Sequence, residues 1–166
     1  MPQWTGPAYH VSVVFQVPLS FAYSWCTDYT PEDPELGGED YERRIIERSS
    51  RRVVFENLYK VGKGWGWERH VVTLMPPNRW HSEGRGNYSD STLDYKLTAL
   101  SADATKLDMR WRSRPTFLDH ERPSKEAVEH FVTRLWRRRT RALEREYNSI
   151  PSRRTKPLRK LAIDES

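Results

Sequence analysis

Histidine and cysteine, two residue types that often do chemistry in proteins, are few in this sequence and widely spaced. The histidines are His10, His70, His81, His120 and His130. None has the His-x-x-x-His or Glu-x-x-His spacing that places two metal ligands on one helix face, so we predict no metal site. The single cysteine, Cys26, excludes an internal disulfide and a cysteine-rich zinc site. It falls on an apolar helix face, where we expect it to pack as a small hydrophobic residue.

A glycine-rich segment, GKGWG at 62–66, superficially suggests a nucleotide-binding loop. It lacks the last glycine of the Rossmann pattern and the Lys-Ser/Thr pair of a P-loop. It also joins two segments that read as strands, whereas a phosphate-binding loop leads into a helix whose N–H groups hold the anion. We therefore interpret it as a hairpin turn and predict no cofactor.

The strand WGWERHVVTLM that follows this turn carries the residues suited to acid–base chemistry. His70 with Glu68 or Glu83 would form an acid–base pair if buried, and exposed surface pairs are the alternative. One register turns Trp67 and Arg69 inward and the other turns Glu68 and His70 inward, because a one-residue slip exchanges the faces. We favour Arg69, because the face that contains Trp67 is bulkier. A buried arginine requires a partner or an anionic ligand group, so Arg69 is the sharpest candidate for a ligand contact.

The elements that must position these residues begin with a strand that changes abruptly into a helix. Apolar residues alternate in HVSVVFQV at 10–17, which is the pattern of a half-buried strand. Pro18 ends it, because proline donates no sheet hydrogen bond but suits the first turn of a helix. Apolar residues then recur at helical intervals as far as Tyr29, which predicts a short helix across one end of a sheet. The acidic segment 30–40, with two prolines and a Gly-Gly pair, predicts a loop.

The middle of the chain, from 42 to 114, reads as six further strands joined by short turns. The clearest are TLDYKLTAL and TKLDMRWRSR, in which apolar residues occupy alternate positions. Short connections favour an antiparallel meander over parallel crossovers.

The segment 122–147 predicts a long amphipathic helix, with Ser124 as its N-cap and Glu126 in its first turn. Its broad apolar stripe contains Val128, Phe131, Leu135, Ala142 and Tyr147, supported by Val132, Trp136 and Leu143. Residues 148–166 show little periodicity and are predicted to be a basic, mobile tail. Because the chain shows neither a signal peptide nor an apolar run long enough to span a bilayer, we expect a soluble, cytoplasmic protein.

The order of elements predicts an α+β fold for residues 1–147, taken as a single domain. We expect a seven-stranded, curved antiparallel sheet wrapped around the long C-terminal helix, with a short helical segment between strands 1 and 2. A chain of 166 residues is long enough for such a domain to bury a real core.

Three stretches, in this order along the chain, carry a resemblance to a known family. The first is similar to the family's strand-to-helix passage and reads VPLSFAYSWCTDY. The second is similar to a glycine-rich turn followed by a strand, a double-proline turn and a further strand, and reads VGKGWGWERHVVTLMPPNRW. The third is similar to a late hairpin and reads DYKLTALSADATKLDMRW. Together they resemble the START-related superfamily, also called SRPBCC, which includes polyketide cyclases, lipid-transfer domains and birch-pollen-type allergens. The resemblance covers roughly residues 9–147. It implies a helix-grip fold, with a cavity between sheet and long helix that receives an apolar or amphipathic small molecule.

The strand faces, combined with this implied cavity, give a set of candidate ligand-binding residues, although an ordinary packed core is the alternative for any one of them. The candidates are Phe55, Asn57, Trp67, Arg69, Trp80, Ser82, Tyr95, Leu97, Met109, Trp111, Phe131 and Leu135. The first functional hypothesis is binding, transport or sequestration of a hydrophobic or amphipathic molecule such as a lipid, isoprenoid or polyketide. The second is an enzyme of the polyketide cyclase or aromatase kind, in which Arg69, Tyr95 or His70 would steer an enol or carbonyl oxygen.

The net charge of +5 is concentrated near the C-terminus, because residues 120–166 hold 13 Lys and Arg against 7 Asp and Glu. One face of the long helix and the tail supply most of this charge. The helix face contains Arg134, Arg137, Arg138, Arg141 and Arg145, and the tail adds Arg153, Arg154, Lys156, Arg159 and Lys160. A solvated outer face is the simplest interpretation. A patch for nucleic acid or an anionic membrane is the third functional hypothesis.

Overall fold

A computed structural model of the protein describes residues 7–115 and 123–150. The strands in these ranges are β1 Ala8–Phe15, β2 Tyr41–Arg48, β3 Arg52–Val61, β4 Gly64–Met75, β5 Arg79–Gly86, β6 Ser89–Ser101 and β7 Ala104–Pro115. The helices are α1 Leu19–Thr27, α2 Asp33–Leu36 and α3 Lys125–Ser149. The strands form one antiparallel sheet in the order β1-β7-β6-β5-β4-β3-β2, so that β1 and β2 are its edges. The predicted helix-grip architecture of seven strands, a short helix after the first and a long C-terminal helix is confirmed.

The passage from β1 to α1 occurs at the predicted proline. Pro18 is extended, with φ −64° and ψ 154°, and its carbonyl accepts from the Ala22 N–H at 3.0 Å to begin the helix. β1 ends at Phe15, two residues before the predicted end of the strand. Val17 is nevertheless fully buried, and its carbonyl accepts a 2.9 Å hydrogen bond from the Thr105 hydroxyl. The chain therefore stays attached to the sheet until α1 crosses its end.

The acidic segment 30–40, predicted to be a loop, contains the short helix α2. Pro34 lies in its first turn, where a missing N–H costs nothing, and Asp33 accepts from the N–H and the hydroxyl of Thr30. The helix ends at Gly37, and Gly38 adopts the left-handed conformation with φ +71°. Gly37 lies against α3, because a Cβ there would overlap Leu135 Cδ1.

The long helix α3 begins as predicted, with the Ser124 hydroxyl accepting from the Ala127 N–H at 3.1 Å. It runs to Ser149, two residues beyond the predicted end. Its buried side chains are Trp136 and Leu143, whereas Phe131 is 56% exposed. Trp136 and Leu143, expected only to support the apolar stripe, therefore form its centre, and Phe131 lies at its margin. Residues 151–166 of the predicted tail lie outside the described residues.

The core lies between the inner face of the sheet and the inner side of α1 and α3. Its largest fully buried side chains include Trp80, Phe15, Leu97, Leu107 and Leu143. Within the described ranges, α3 and the two shorter helices are all too polar or too short to cross a lipid bilayer.

Candidate functional site

A cavity of about 460 Å³ lies beneath α3, between the helix and the inner face of the sheet. Aromatic side chains make up much of its wall; they are Trp25, Tyr29, Tyr41, Phe55, Trp80, Tyr95, Trp111, Phe131 and Trp136. It opens beside α2, where Leu36 and Phe131 line it while remaining 37% and 56% exposed. A second space of about 630 Å³ shares Tyr41, Phe131 and Leu135 with this opening. A small molecule thus has both an interior to occupy and a route to it.

Most of the residues proposed from the sequence meet in this cavity. Those that line it are Phe55, Asn57, Trp80, Ser82, Tyr95, Met109, Trp111, Phe131 and Leu135. Leu97 points to the same side of the sheet, but it is fully buried within the packed core and is absent from the wall. Its expected contact with a ligand therefore becomes a packing role, since no surface of it faces the space.

The inward orientation expected for Trp67 and Arg69 is wrong. Trp67 is 39% exposed, and the Arg69 guanidinium donates to Glu56 Oε1 on the outer face of the sheet at 2.6 Å. The other register is present, and it turns Glu68 and His70 into the cavity wall. The prediction assigned the bulkier face of the strand to the interior. In the structure Trp67, which makes that face bulky, lies on the outer face of the sheet instead.

A chain of hydrogen bonds, which we call the polar array, crosses the inner face of the sheet. Its members are Arg43, Asn57, Glu68, His70 and Ser82, contributed by β2, β3, β4, β4 and β5. Arg43 Nε donates to Asn57 Oδ1 at 3.0 Å, and Asn57 Nδ2 donates to Glu68 Oε1 at 3.0 Å. His70 Nε2 lies 3.2 Å from Glu68 Oε1, and His70 Nδ1 lies 3.0 Å from Ser82 Oγ. All five side chains line the cavity.

The protonation of the polar array follows from its geometry. Burial alone would favour the protonated carboxyl, but the hydrogen bonds from His70 and Asn57 lower the pKa of Glu68. An ionised carboxylate only accepts hydrogen bonds, so His70 presents its Nε2–H to Glu68. In the neutral imidazole, Nδ1 then accepts from the Ser82 hydroxyl. The arrangement gives His70 an oriented carboxylate partner, which is what a general base requires.

Two further contacts hold the His70 ring in place. The ring stacks on Phe55, with centroids 5.0 Å apart and an interplanar angle of 17°. Across the ladder His70 faces Gly84, where an added Cβ would lie only 2.7 Å from His70 Cε1. The glycine therefore provides the space into which the imidazole fits.

Two arginines that the sequence analysis did not select also line the cavity. The Arg43 side chain is only 6% exposed; it pairs with Asp33 Oδ2 at 2.7 Å and lies 4.1 Å from the Phe55 ring centroid. Arg139, on α3, donates to Glu39 Oε1 at 3.0 Å and lies 5.2 Å from the Trp136 ring centroid. Its buried Nε has no acceptor among the described residues. The two guanidinium groups therefore place positive charge in the cavity wall, and a buried donor without an acceptor is unfavourable.

Burial keeps two other titratable groups of the wall, Cys26 and Tyr95, neutral. It raises the pKa of the Cys26 thiol well above its usual range, although Arg139 acts in the opposite direction. It also raises the pKa of Tyr95 to about 12, again against the attraction of Arg139 and Arg43. At neutral pH both groups are therefore protonated, so the phenol of Tyr95 is a donor and Cys26 is not a nucleophile.

Comparison with known proteins gives relatives by structure. No protein-family model matches the sequence, and no curated protein matches it significantly. A protein from Thermus thermophilus superposes with a TM-score of 0.66 and 11% identity, over 82% of this chain and 97% of that one. The Zhui aromatase/cyclase from Streptomyces sp. R1128 superposes with a TM-score of 0.63 and 11% identity, over 86% of this chain and 93% of that one. A START superfamily protein from Mycobacterium smegmatis superposes with a TM-score of 0.64 and 13% identity, over 86% of this chain and 98% of that one.

At such low identities the similarity establishes the fold and leaves the chemistry to the residues of this chain. The chain has the helix-grip fold of START and SRPBCC superfamily structures, which is the fold that the sequence resemblance implied.

Proposed function

We propose that this protein binds an amphipathic small molecule that has an aromatic or otherwise flat apolar body and at least one acceptor oxygen. The observation that carries the proposal is the unpartnered Arg139 Nε in a cavity walled by aromatic rings. The rings provide apolar area, worth about 25 cal/mol per Å² buried, and flat faces for stacking. The arginine provides orientation, because an oxygen bonded to it removes the cost of its unused donor.

The dimensions of the cavity support this class of ligand. A volume of about 460 Å³ lies in the range of roughly 300–1,000 Å³ that is usual for small-molecule sites. The wall also carries Asp33, Glu39, Arg43, Glu68 and Arg139, most of them engaged in pairs with each other. A long aliphatic chain has no flat face to stack on the aromatic rings of the wall, so a polyketide-like or phenolic molecule fits better than a simple fatty acid.

The test uses 8-anilinonaphthalene-1-sulfonate, an aromatic probe with anionic acceptor oxygens. We expect Arg139→Gln to weaken its binding about tenfold, measured by titration calorimetry, because a charge-assisted hydrogen bond is lost. Arg145→Gln removes the same charge from an exposed site on the same helix and should leave the affinity unchanged. Native mass spectrometry of the gently purified protein should in addition reveal a co-purified ligand. Equal affinities for both variants, together with a ligand-free mass, would refute the proposal.

A second candidate function, cyclisation of a poly-β-carbonyl substrate, is favoured by the polar array. Once the Ser82 hydroxyl turns its hydrogen away from His70 Nδ1, that nitrogen, on a ring held through Nε2 by Glu68, would remove a proton from a carbon next to a carbonyl. The neutral phenol of Tyr95 would donate to the enol oxygen that forms.

The variants His70→Gln and Tyr95→Phe are expected to lower the rate with such a substrate about a hundredfold each. Arg69→Ala is the control, because its side chain lies outside the cavity and its loss should not change the rate. If the rates of His70→Gln and Tyr95→Phe match the unmodified protein, the protein is a binder and not a cyclase.

A further inference from the structure

A groove on the opposite side of α3 from the cavity begins at the free edge of β1. The helix covers this edge by means of two glutamates instead of a further strand. Glu129 Oε1 accepts from the His10 N–H at 2.9 Å, and Glu144 Oε1 accepts from the Gln16 N–H at 2.8 Å. Six strand residues span roughly 20 Å and fifteen helical residues roughly 22 Å, so α3 lies along β1 with matching length.

Between these two glutamates the strand edge is uncovered. N–H groups of alternate residues in a strand point to the same side, and β1 pairs with β7 without a bulge. The N–H groups of Ser12 and Val14 therefore point to the helix side, as those of His10 and Gln16 do. No acceptor within the described part of the chain bonds to either of them. Ser12 and Val14 are both exposed.

Cationic side chains surround this uncovered stretch. A groove of about 470 Å³ is lined by Ser12 and Val14 together with Lys106, Arg137 and Arg141. Arg137 and Arg141 are one helical turn apart and repel each other, and neither guanidinium has an ion pair or hydrogen bond within the described ranges. Lys106 contacts Asp108 at 3.3 Å, on the outer face of the sheet, and Asp108 also accepts from the Ser12 hydroxyl. The groove thus combines two backbone donors with three cations.

We propose that this groove binds a single phosphate group. Phosphate has several acceptor oxygens and a charge that relieves the repulsion between Arg137 and Arg141, and arginine and backbone N–H groups are the donors that bind it best. The N–H groups of His10 and Gln16 at this edge already donate to carboxylate oxygens, those of Glu129 and Glu144, so the edge is able to bind anionic oxygens. Glu129 and Glu144 close the groove at its two ends, and their charge opposes a polyanion that runs past them. The site therefore fits one phosphate better than a nucleic-acid strand.

This proposal is independent of the small-molecule function. None of the residues that line the groove lines the cavity, and α3 separates the two sites. A substitution in the groove is therefore expected to weaken phosphate binding without affecting small-molecule binding in the cavity, and the reverse is expected for a substitution in the cavity wall.

The experiment is a titration of the ¹⁵N-labelled protein with inorganic phosphate at constant ionic strength, with chloride as the reference anion. We expect saturable shifts of the Ser12 and Val14 amides and weakening of about tenfold or more in the double variant Arg137→Gln/Arg141→Gln. The double variant Arg134→Gln/Arg145→Gln, which removes the same two charges from exposed positions of α3 outside the groove, should bind as the unmodified protein does. Shifts that do not saturate, or that persist unchanged in Arg137→Gln/Arg141→Gln, would overturn the proposal.

Two further arms identify the source of the phosphate. The first arm measures binding to vesicles of phosphatidic acid in phosphatidylcholine. Tighter binding than to inorganic phosphate, lost in the double variant Arg137→Gln/Arg141→Gln, would support a lipid headgroup as the occupant. Equal or weaker vesicle binding would support a soluble phosphate compound. Affinity for single-stranded RNA that rises steadily with its length would contradict a closed, single-phosphate site. Thermal unfolding of each variant verifies that the fold is retained.

Discussion

At the scale of single residues, three arginines show how context decides the role of one side-chain type. Arg43 and Arg139 line the cavity, whereas Arg69 lies on the outer face. The signal for Arg43 is its alternation with Tyr41 and Ile45, and the signal for Arg139 is its helical spacing from Trp136 and Leu143. Both signals were hidden in charged runs, ERRIIER and RRR, because a run of charges normally marks a solvated surface.

Replacement of Arg43 should destabilise the fold far more than replacement of Arg69. Arg43→Met leaves the partly buried Asp33 carboxylate and the buried Asn57 amide without the arginine that they share, which costs about 3 kcal/mol. Arg69→Met breaks an ion pair with a half-exposed guanidinium, which costs at most about 1 kcal/mol. Urea unfolding of the two variants measures the difference. Equal losses would mean that the Arg43 contacts contribute no more than a surface pair.

Asp28, at the C-terminal end of α1, should destabilise the protein at neutral pH. Burial, reinforced by Asp33 and Glu146, raises the pKa of Asp28 to about 6. The folded state thus holds this proton more tightly than the unfolded state, so the free energy of unfolding falls as pH rises from about 4 to about 6. Asp28→Asn should increase stability above pH 6 or so by up to about 1 kcal/mol, because the side chain is partly exposed.

The same variant should show no gain near pH 4, where the carboxyl of Asp28 is protonated in the folded state. Asp103→Asn, in the exposed turn between β6 and β7, is the control for the change in net charge. Thermal unfolding at both pH values provides the measurement. A gain of equal size at both would contradict the raised pKa.

At the scale of elements, the sequence predicted which segments are strands and helices more successfully than which way they face. The late hairpin was clear because its inner residues are apolar, among them Leu97, Leu107 and Met109. The inward face of β4 was ambiguous because Trp67 and Arg69 alternate with Glu68 and His70, so that each face contains both a large side chain and a charged or titratable one. The contacts that fix its register come from β3 and β5, the strands on either side of it, and not from β4 itself. Asn57, Ser82 and Gly84 together set the position of His70, and no local pattern contains that information.

A side chain at Gly84 should displace His70. The added methyl of Gly84→Ala would lie 2.7 Å from His70 Cε1 and 2.5 Å from Ser91 Oγ, and we expect a loss of about 1–3 kcal/mol. Removal of the ring in the double variant Gly84→Ala/His70→Ala should recover part of this loss, since the two sites are in contact. Urea unfolding of the single and double variants forms the required cycle. Strict additivity would show that the glycine and the ring do not compete for space.

At the scale of the whole molecule, the order and number of the strands were predictable because short turns and alternating strands leave few antiparallel topologies. The rotation of α3, by contrast, depends on Trp136 and Leu143 packing into the core and on the contacts of Glu129 and Glu144 with β1. These glutamates also shield an edge that would otherwise be available to another sheet. The helix thus both covers the cavity and shields the β1 edge at His10 and Gln16.

Removal of the edge contact should promote self-association. Glu144→Ala frees the Gln16 N–H, which costs about 1 kcal/mol and uncovers the end of β1. Glu144→Gln removes the charge but keeps an acceptor oxygen and should behave as the unmodified protein. Sedimentation velocity over a range of concentrations compares the variants. A monomer at all concentrations for Glu144→Ala would show that the edge is protected by other means.

The distribution of tryptophan gives the cavity its own optical signal. Among the described residues, the tryptophans Trp25, Trp80, Trp111 and Trp136 line it, and Trp80 lies stacked on Tyr95 at 4.7 Å between centroids. Any guest that enters must come within range of these indoles, so its arrival should alter their ultraviolet emission. Libraries of unlabelled compounds can therefore be screened directly, without a dye or a tag, before the natural ligand has been identified.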